Sequence, residues 1–212
     1  EQAIAGAAEA IFNNAGQVCV AGSRLLVERS VFEQVVDGVS KIAKSLKLGS
    51  GFNPKSQMGP LISEEHRNHV HSLVESGIRD GAEVLSGGKL CDGEGYFYEP
   101  TVLASVRPEM AVVQEEIFGP VVTAMPFDDP DEVVALANDT PYGLAGSIWT
   151  RDVSKAHHMA ASIRAGLLWI NCHGIPDMAV PFGGFKQSGW ERENGWEGLE
   201  KYTELKSVLT LL

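Results

Sequence analysis

Cysteine is the strongest common nucleophile among side chains, and this chain has three: Cys19, Cys91 and Cys172. Cys19 alone lies in a stretch suited to attack. In Phe12-Asn13-Asn14-Ala15-Gly16-Gln17-Val18-Cys19-Val20-Ala21-Gly22-Ser23-Arg24 a helix ends near Gly16, the thiol falls on a tight turn, and a strand begins near Ser23. Small residues (Ala15, Gly16, Ala21, Gly22) let backbone and ligand approach closely. Local amides are then placed to stabilise an oxyanion on whatever the sulfur attacks. On residue types alone, a buried and inert cysteine competes with the nucleophile.

Other reactive patterns fall away. His66, His69 and His71 cluster on one helix, with His66 and His69 on one face, but no cysteine or third well-spaced ligand joins them. They read as a solvated or pocket-edge face, and no metal is expected. His157-His158 reads as a surface pair. Gly49 to Ser56 resembles a phosphate loop, but Pro54 occupies the second glycine's place and removes an amide. Gly93-Glu94-Gly95 lacks the third glycine of a dinucleotide fingerprint and leads into no helix. No G-x-S-x-G elbow occurs.

The elements that position Cys19 follow from periodicity. Glu1 to Asn14 reads as a helix and Ser23 to Glu28 as a strand. Phe32, Val35, Val36, Val39, Ile42, Ala43 and Leu46 recur at helical spacing, with Ser30 and Glu33 forming a capping box. A Gly/Pro/Asn loop covers 49–60, a helix 63–79, a short strand Val84-Leu85 and an extended stretch 97–106. A strand covers 121–127. Asp129-Pro130-Asp131-Glu132 opens a helix to Asn138: Asp at N-cap, Pro at N1, Glu at N3. Strand 147–150, helix 152–164, strand 166–171, a helix closing at 199–202 and a final strand 205–212 complete the chain. Helices alternating with short apolar strands predict an α/β fold with a largely parallel sheet flanked by helices.

Composition narrows the function classes. Lys and Arg total 17 against 28 Asp and Glu, a net charge of −11. The basic residues are scattered, so no nucleic-acid surface is expected. No 18-residue apolar run spans a membrane, and no secretory signal opens the chain. Three cysteines cannot all pair internally, which fits a reducing, cytoplasmic setting.

Several motifs together resemble the aldehyde dehydrogenase family. Phe12-x3-Gly16-Gln17-x-Cys19-x4-Arg24 is similar to its cysteine signature. Glu115-Glu116-Ile117-Phe118-Gly119-Pro120-Val121 resembles its E-I-F-G-P-V element. Asn138-Asp139-Thr140-Pro141-Tyr142-Gly143-Leu144 resembles its N-x-T-x-Y-G-L element. Pro181-Phe182-Gly183-Gly184-Phe185-Lys186-Gln187-Ser188-Gly189 resembles P-F-G-G-x-K-x-S-G, and Tyr202 to Val208 its closing segment. The five lie in family order from residue 12 to 208.

The resemblance implies roles. Cys19 would be the catalytic thiolate, Glu116 would hold the nicotinamide ribose hydroxyls, and Phe118 would pack beside that ribose. His66 would be a polar residue near the cofactor; His69 departs from the Lys common at its place. Phe182, Ile175 and Cys172 would line the aldehyde channel, though Ile175 and Cys172 serve equally as core packing. The cofactor would be NAD or NADP, bound mainly by a nucleotide-binding half expected before residue 1. The Glu that activates water and the Asn that completes the oxyanion hole would lie there too. The expectation is a catalytic domain over 1–203, inactive alone, with an oligomerisation strand at 204–212 that builds a homodimer or homotetramer. Residues 171–178 resemble members acting on phenylacetaldehyde or betaine aldehyde. Two other readings are a non-redox thiol acyltransferase or hydrolase with His173 as base, and a non-catalytic oligomerisation module.

Overall fold

The computed structural model describes all 212 residues. Its main sheet holds β1 (Arg24–Glu28), β2 (Glu83–Ser86), β3 (Thr101–Ala104) and β4 (Val121–Phe127), in the order β1-β4-β3-β2. β4 pairs in parallel with β1, Leu25 opposite Ala124, and with β3, Val102 opposite Val122. β2 joins antiparallel, with an irregularity between Val84 and Ser86. A second sheet contains two parallel strands, β5 (Ala145–Ile148) and β6 (Leu167–Ile170). The architecture is therefore α/β and largely parallel, as the alternation of elements predicts.

Burial explains which strands are central. β3 is buried throughout, and β4 is buried from Val121 to Met125. Strands covered on both faces read as continuous apolar runs. The exceptions are satisfied polar groups: Thr101 Oγ1 accepts from the Gly88 amide at 2.8 Å and donates to the Glu99 carbonyl at 2.7 Å. The Thr123 amide donates to the Ser23 carbonyl at 2.9 Å, tying β4 to the end of the Cys19 loop.

Seven helices surround the strands: α1 (Gln2–Phe12), α2 (Phe32–Ser45), α3 (Glu64–Arg79), α4 (Ala111–Gln114), α5 (Pro130–Asn138), α6 (Val153–Ser162) and α7 (Gly195–Glu200). α2 buries Val36, Val39 and Ala43 and packs on α1, β2 and β3. Ser63 caps α3 by accepting from the His66 amide at 3.1 Å. Asp129 caps α5, its Oδ1 accepting from the Asp131 and Glu132 amides, both at 2.9 Å. No helix is long and apolar enough to cross a membrane.

Three expectations need correction, and one helix was not foreseen. Ser30 does not cap α2: residues Arg29–Val31 wind into a 3₁₀ turn, and its hydroxyl donates to Glu28 Oε1 at 2.9 Å. The turn makes Val31 the N-cap residue of α2, so Ser30 falls one position too early to accept from the first helical amides. β5 begins two residues before its expected start. Residues 203–212 form no strand and stand in solvent, Leu205, Leu209 and Leu211 each 99% exposed. No strand edge of this chain lies beside them to take their backbone hydrogen bonds. Helix α4 went unread because four residues are too few to show a period.

Candidate functional site around Cys19

The loop after α1 is unusual in its backbone. Asn14, Ala15 and Gly16 take φ of 50°, 55° and 69°, three consecutive residues in the left-handed region. L-residues enter that region at a cost of about 1–2 kcal/mol each, and such strain collects at functional sites. Surrounding contacts hold it. Asn14 Nδ2 donates to the Gln17 carbonyl at 3.1 Å, the Ala21 amide to the Val18 carbonyl at 2.9 Å, and the Gly22 amide to Ala10 of α1 at 3.0 Å. The turn leaves Cys19 exposed. The amides of Cys19 and Val20 donate to no atom of the chain.

Cys91 differs in both position and chemistry. It is half-buried, and burial, followed by Glu99 and Asp92, pushes its thiol pKa up. Cys172 is half-buried as well. The exposed thiol of the three is Cys19.

A second loop locks onto the first. Gly16 sits against the Gly119 carbonyl with no room for a Cβ, and Gly119 in turn rests on Val70 of α3. Gln17 Oε1 accepts from the Ile62 amide at 2.9 Å, fastening the Cys19 loop to the approach to α3. His66 Nε2 lies 2.6 Å from the Phe118 carbonyl, and its ring meets the Phe118 ring edge-on at 6.1 Å. Phe118 is itself left-handed, φ 53°. One cleft of about 800 Å³ takes in Cys19, Glu116, Phe118, Ser147 and His173. Glu116 is exposed and engaged in no hydrogen bond or ion pair, so its carboxylate is free to accept from a ligand's hydroxyls.

The remaining candidates lie elsewhere. His66 stands behind Phe118 rather than in the cleft lining. Phe182, Ile175 and Cys172 do not line the cleft. Phe182 pairs with Glu193 through two backbone bonds of 2.7 Å, and Ile175 is 60% exposed, its carbonyl accepting from Trp169 Nε1 at 3.0 Å. His173 does reach the cleft. Its Nδ1 lies 3.3 Å from Ser147 Oγ, its ring meets Trp169 at a tilt of 50° with centroids 4.9 Å apart, and burial lowers its pKa despite the Val20 carbonyl and Glu9. No hydrogen bond joins it to the Cys19 sulfur. No group of three or more His, Cys, Asp or Glu side chains is arranged for a metal ion.

Two residues quoted in the motifs without a role turn out to hold the site together. Arg24 donates to the Leu136 and Ala137 carbonyls at 3.0 and 2.9 Å, and Lys186 Nζ to those of Asn138 and Thr140 at 2.7 and 3.0 Å. The last carbonyls of a helix lack internal partners and favour cations. α5 has no basic residue in its own last turn, so these cations come from elsewhere in the chain. Burial lowers both pKa values, with Arg164 and Arg24 adding to the effect on Lys186.

The geometry can be set beside known proteins. Residues 1–208 match the aldehyde dehydrogenase family. The chain is 48% identical to betaine aldehyde dehydrogenase of Bacillus subtilis, over 98% of this chain and 43% of the relative. It is 42% identical to phenylacetaldehyde dehydrogenase of Pseudomonas fluorescens, over 99% and 42%. The NAD+ complex of a Bacillus cereus aldehyde dehydrogenase superposes with a TM-score of 0.95 at 45% identity, covering 98% of this chain and 42% of that one. The chain thus spans about two fifths of the length of these relatives.

Proposed function

The chain belongs to the aldehyde dehydrogenase family, and from that membership we propose that it is the thiol-bearing catalytic part of an NAD(P)-dependent enzyme oxidising aldehydes to carboxylic acids. One observation carries the reading: an exposed cysteine on a strained loop, beside two unengaged backbone amides, in a cleft shared with a free carboxylate.

The chemistry assigned to the chain's own groups is covalent catalysis. The Cys19 thiolate adds to the aldehyde carbon, a C–S bond forms, and the carbonyl electron pair moves onto oxygen. The Cys19 and Val20 amides face that oxyanion, in the manner of backbone donors held in advance of reaction. Glu116 would hold the ribose of NAD(P), with Phe118 beside it and His66 fixing the Phe118 carbonyl. When bound, the nicotinamide supplies the hydride acceptor that lets the thiohemiacetal become a thioester. Water then cleaves the C–S bond, giving the acid and the free thiol. Because the chain contains no dinucleotide fingerprint and covers two fifths of its relatives, these residues are not competent alone. NAD is the favoured cofactor, since the B. cereus relative was solved with NAD+.

Phe182, Ile175 and Cys172 are retained as channel residues closed over the cleft by the rest of the protein, and an apolar or quaternary-ammonium aldehyde is the proposed substrate class. Residues 204–212, exposed and apolar, serve as a β-arm to a second subunit, giving a dimer or tetramer in the cytoplasm. The hydrolase reading lacks its central contact, since His173 bonds Ser147 and not Cys19. In the longer enzyme, Cys19→Ala should abolish turnover, and retained turnover would end the proposal. Glu116→Gln should slow cofactor reduction in single-turnover measurements more than it weakens aldehyde binding.

A further inference from the structure

The Cys19 loop is held at both ends and bare in its middle. Gly16 and Gln17 fasten its entry, against Gly119 and Ile62, and the Gly22 amide fastens its exit to Ala10 of α1. Between them the Cys19 and Val20 amides donate to no atom of the chain, and the Val20 carbonyl accepts from no backbone amide. A peptide so loosely held is free to rock, and the two donors proposed for the oxyanion rock with it. One side chain from outside the loop faces it. His173 shares the cleft with Cys19 and Val20. The groups around its ring are Ser147 of β5, Trp169 of β6, Glu9 of α1 and the Val20 carbonyl.

His173 stands on a fixed base. Asn171, two residues earlier, donates its amide to the Ile148 carbonyl at 2.9 Å, and its side chain bonds both backbone groups of Thr150 at 2.8 and 2.9 Å. Two residues later, the Ile175 carbonyl is held by Trp169 Nε1 at 3.0 Å. A line of hydrogen bonds then fixes where the ring carries its proton. Trp149 Nε1, a donor only, donates to Ser147 Oγ at 3.2 Å. The Ser147 hydroxyl keeps its own hydrogen for His173 Nδ1, 3.3 Å away. A ring nitrogen that accepts carries no proton, so the neutral imidazole carries its proton on Nε2. Burial favours that neutral ring. With Nδ1 taken by Ser147, Nε2–H is the donor left for the Val20 carbonyl.

We infer that His173 is a positioning residue for the thiol: as the Nε2–H tautomer set by Trp149 and Ser147, it holds the Val20 peptide and so keeps the Cys19 and Val20 amides aimed at the aldehyde oxygen. The inference rests on the reading of Cys19 as the nucleophile. His173 acts through the loop, since no hydrogen bond joins it to the sulfur.

Two variants of the longer enzyme separate this role from packing. Glutamine sets an amide nitrogen at about the reach of Nε2, and asparagine at about that of Nδ1. Both lose the ring that meets Trp169. His173→Gln should keep kcat within about threefold of the parent. His173→Asn should lower kcat at least about tenfold and leave the aldehyde KM within about twofold, because misaligned donors cost transition-state stabilisation and not ground-state binding. Amide exchange on the same proteins should show Ala21 and Gly22 opening about three- to tenfold faster in His173→Asn and unchanged in His173→Gln. Equal kcat in the two variants, a loss carried by KM, or unchanged exchange in both overturns the inference. If His173→Asn does not fold, Ser147→Ala decides by the same readouts: a lower kcat at constant KM supports the inference, and a parental kcat overturns it. Cys19→Ala tests the premise separately. Turnover retained there ends the nucleophile reading, while exchange at Ala21 and Gly22 still shows whether His173 holds the loop. An inactive Cys19→Ala beside a fully active His173→Asn overturns the positioning role alone.

Discussion

Replacing Arg24 by Met removes two charge-assisted hydrogen bonds, to the Leu136 and Ala137 carbonyls at 3.0 and 2.9 Å, while keeping most of the side-chain volume. Bonds from a charged donor contribute about 1.5–3 kcal/mol each. Arg24 is only partly buried, so the lower end applies, about 3 kcal/mol for the pair. The cation at a helix C-terminus adds about 0.3–1 kcal/mol, and release from its burial cost returns a similar amount. The net loss is about 2–3 kcal/mol. For a chain of this length each kcal/mol moves Tm by about 2–4 °C, so Arg24→Met should melt about 5–10 °C lower. Lys186→Met removes two bonds from a more solvated amine and should cost about 1 kcal/mol. Lys41→Met is the control: its 2.6 Å pair with Asp37 is exposed on α2, and its loss should cost under about 0.5 kcal/mol. Urea and thermal unfolding of the three variants decide. If Arg24→Met matches the Lys41 control, the α5 clamp does not hold the site and the reasoning fails.

Further outcomes follow from the same contacts. Gly16→Ala puts a Cβ into the Gly119 carbonyl at a left-handed position; it should destabilise the chain by at least about 2 kcal/mol, and a thermal shift under 1 °C would contradict the locked loops. His173 is held below its ordinary pKa mainly by burial. The folded form therefore binds fewer protons than the unfolded one, and the stabilisation present above pH about 6.5 is lost as pH falls through the lower folded value. Denaturant titrations at descending pH should show a shallower loss in His173→Gln than in the parent, and identical slopes would refute this. Deleting Ser207–Leu212 should turn an oligomer into a smaller species in sedimentation, and an unchanged assembly would remove the arm.

Much of the fold was legible where one face repeats. α2 follows from apolar spacing and α5 from Asp129 as its cap, because those signals are local. Ser30 misled because residues 29–31 wind into a 3₁₀ turn that moves the N-cap to Val31, a shift that a pattern of types does not contain. The terminal segment has strand composition, but pairing needs a neighbour, and composition does not supply one. At the site, Cys19 and Glu116 were marked by motif, and the structure brings them to one cleft. The left-handed run at Asn14–Gly16 and the grip of His66 on Phe118 were out of reach, since both depend on contacts some fifty to one hundred residues apart in sequence. Arg24 and Lys186 stood in the motifs, but their shared target, the end of α5, emerges only from the folded chain.

The claim that Cys19 is the nucleophile is tested most directly by limiting iodoacetamide on the folded chain, with mass spectrometry of each cysteine. The account predicts that Cys19 is alkylated first, since its thiol is exposed, and that Cys91 lags, since burial, Glu99 and Asp92 disfavour its thiolate. Alkylation of Cys91 as fast as Cys19, while the fold is intact, would contradict it.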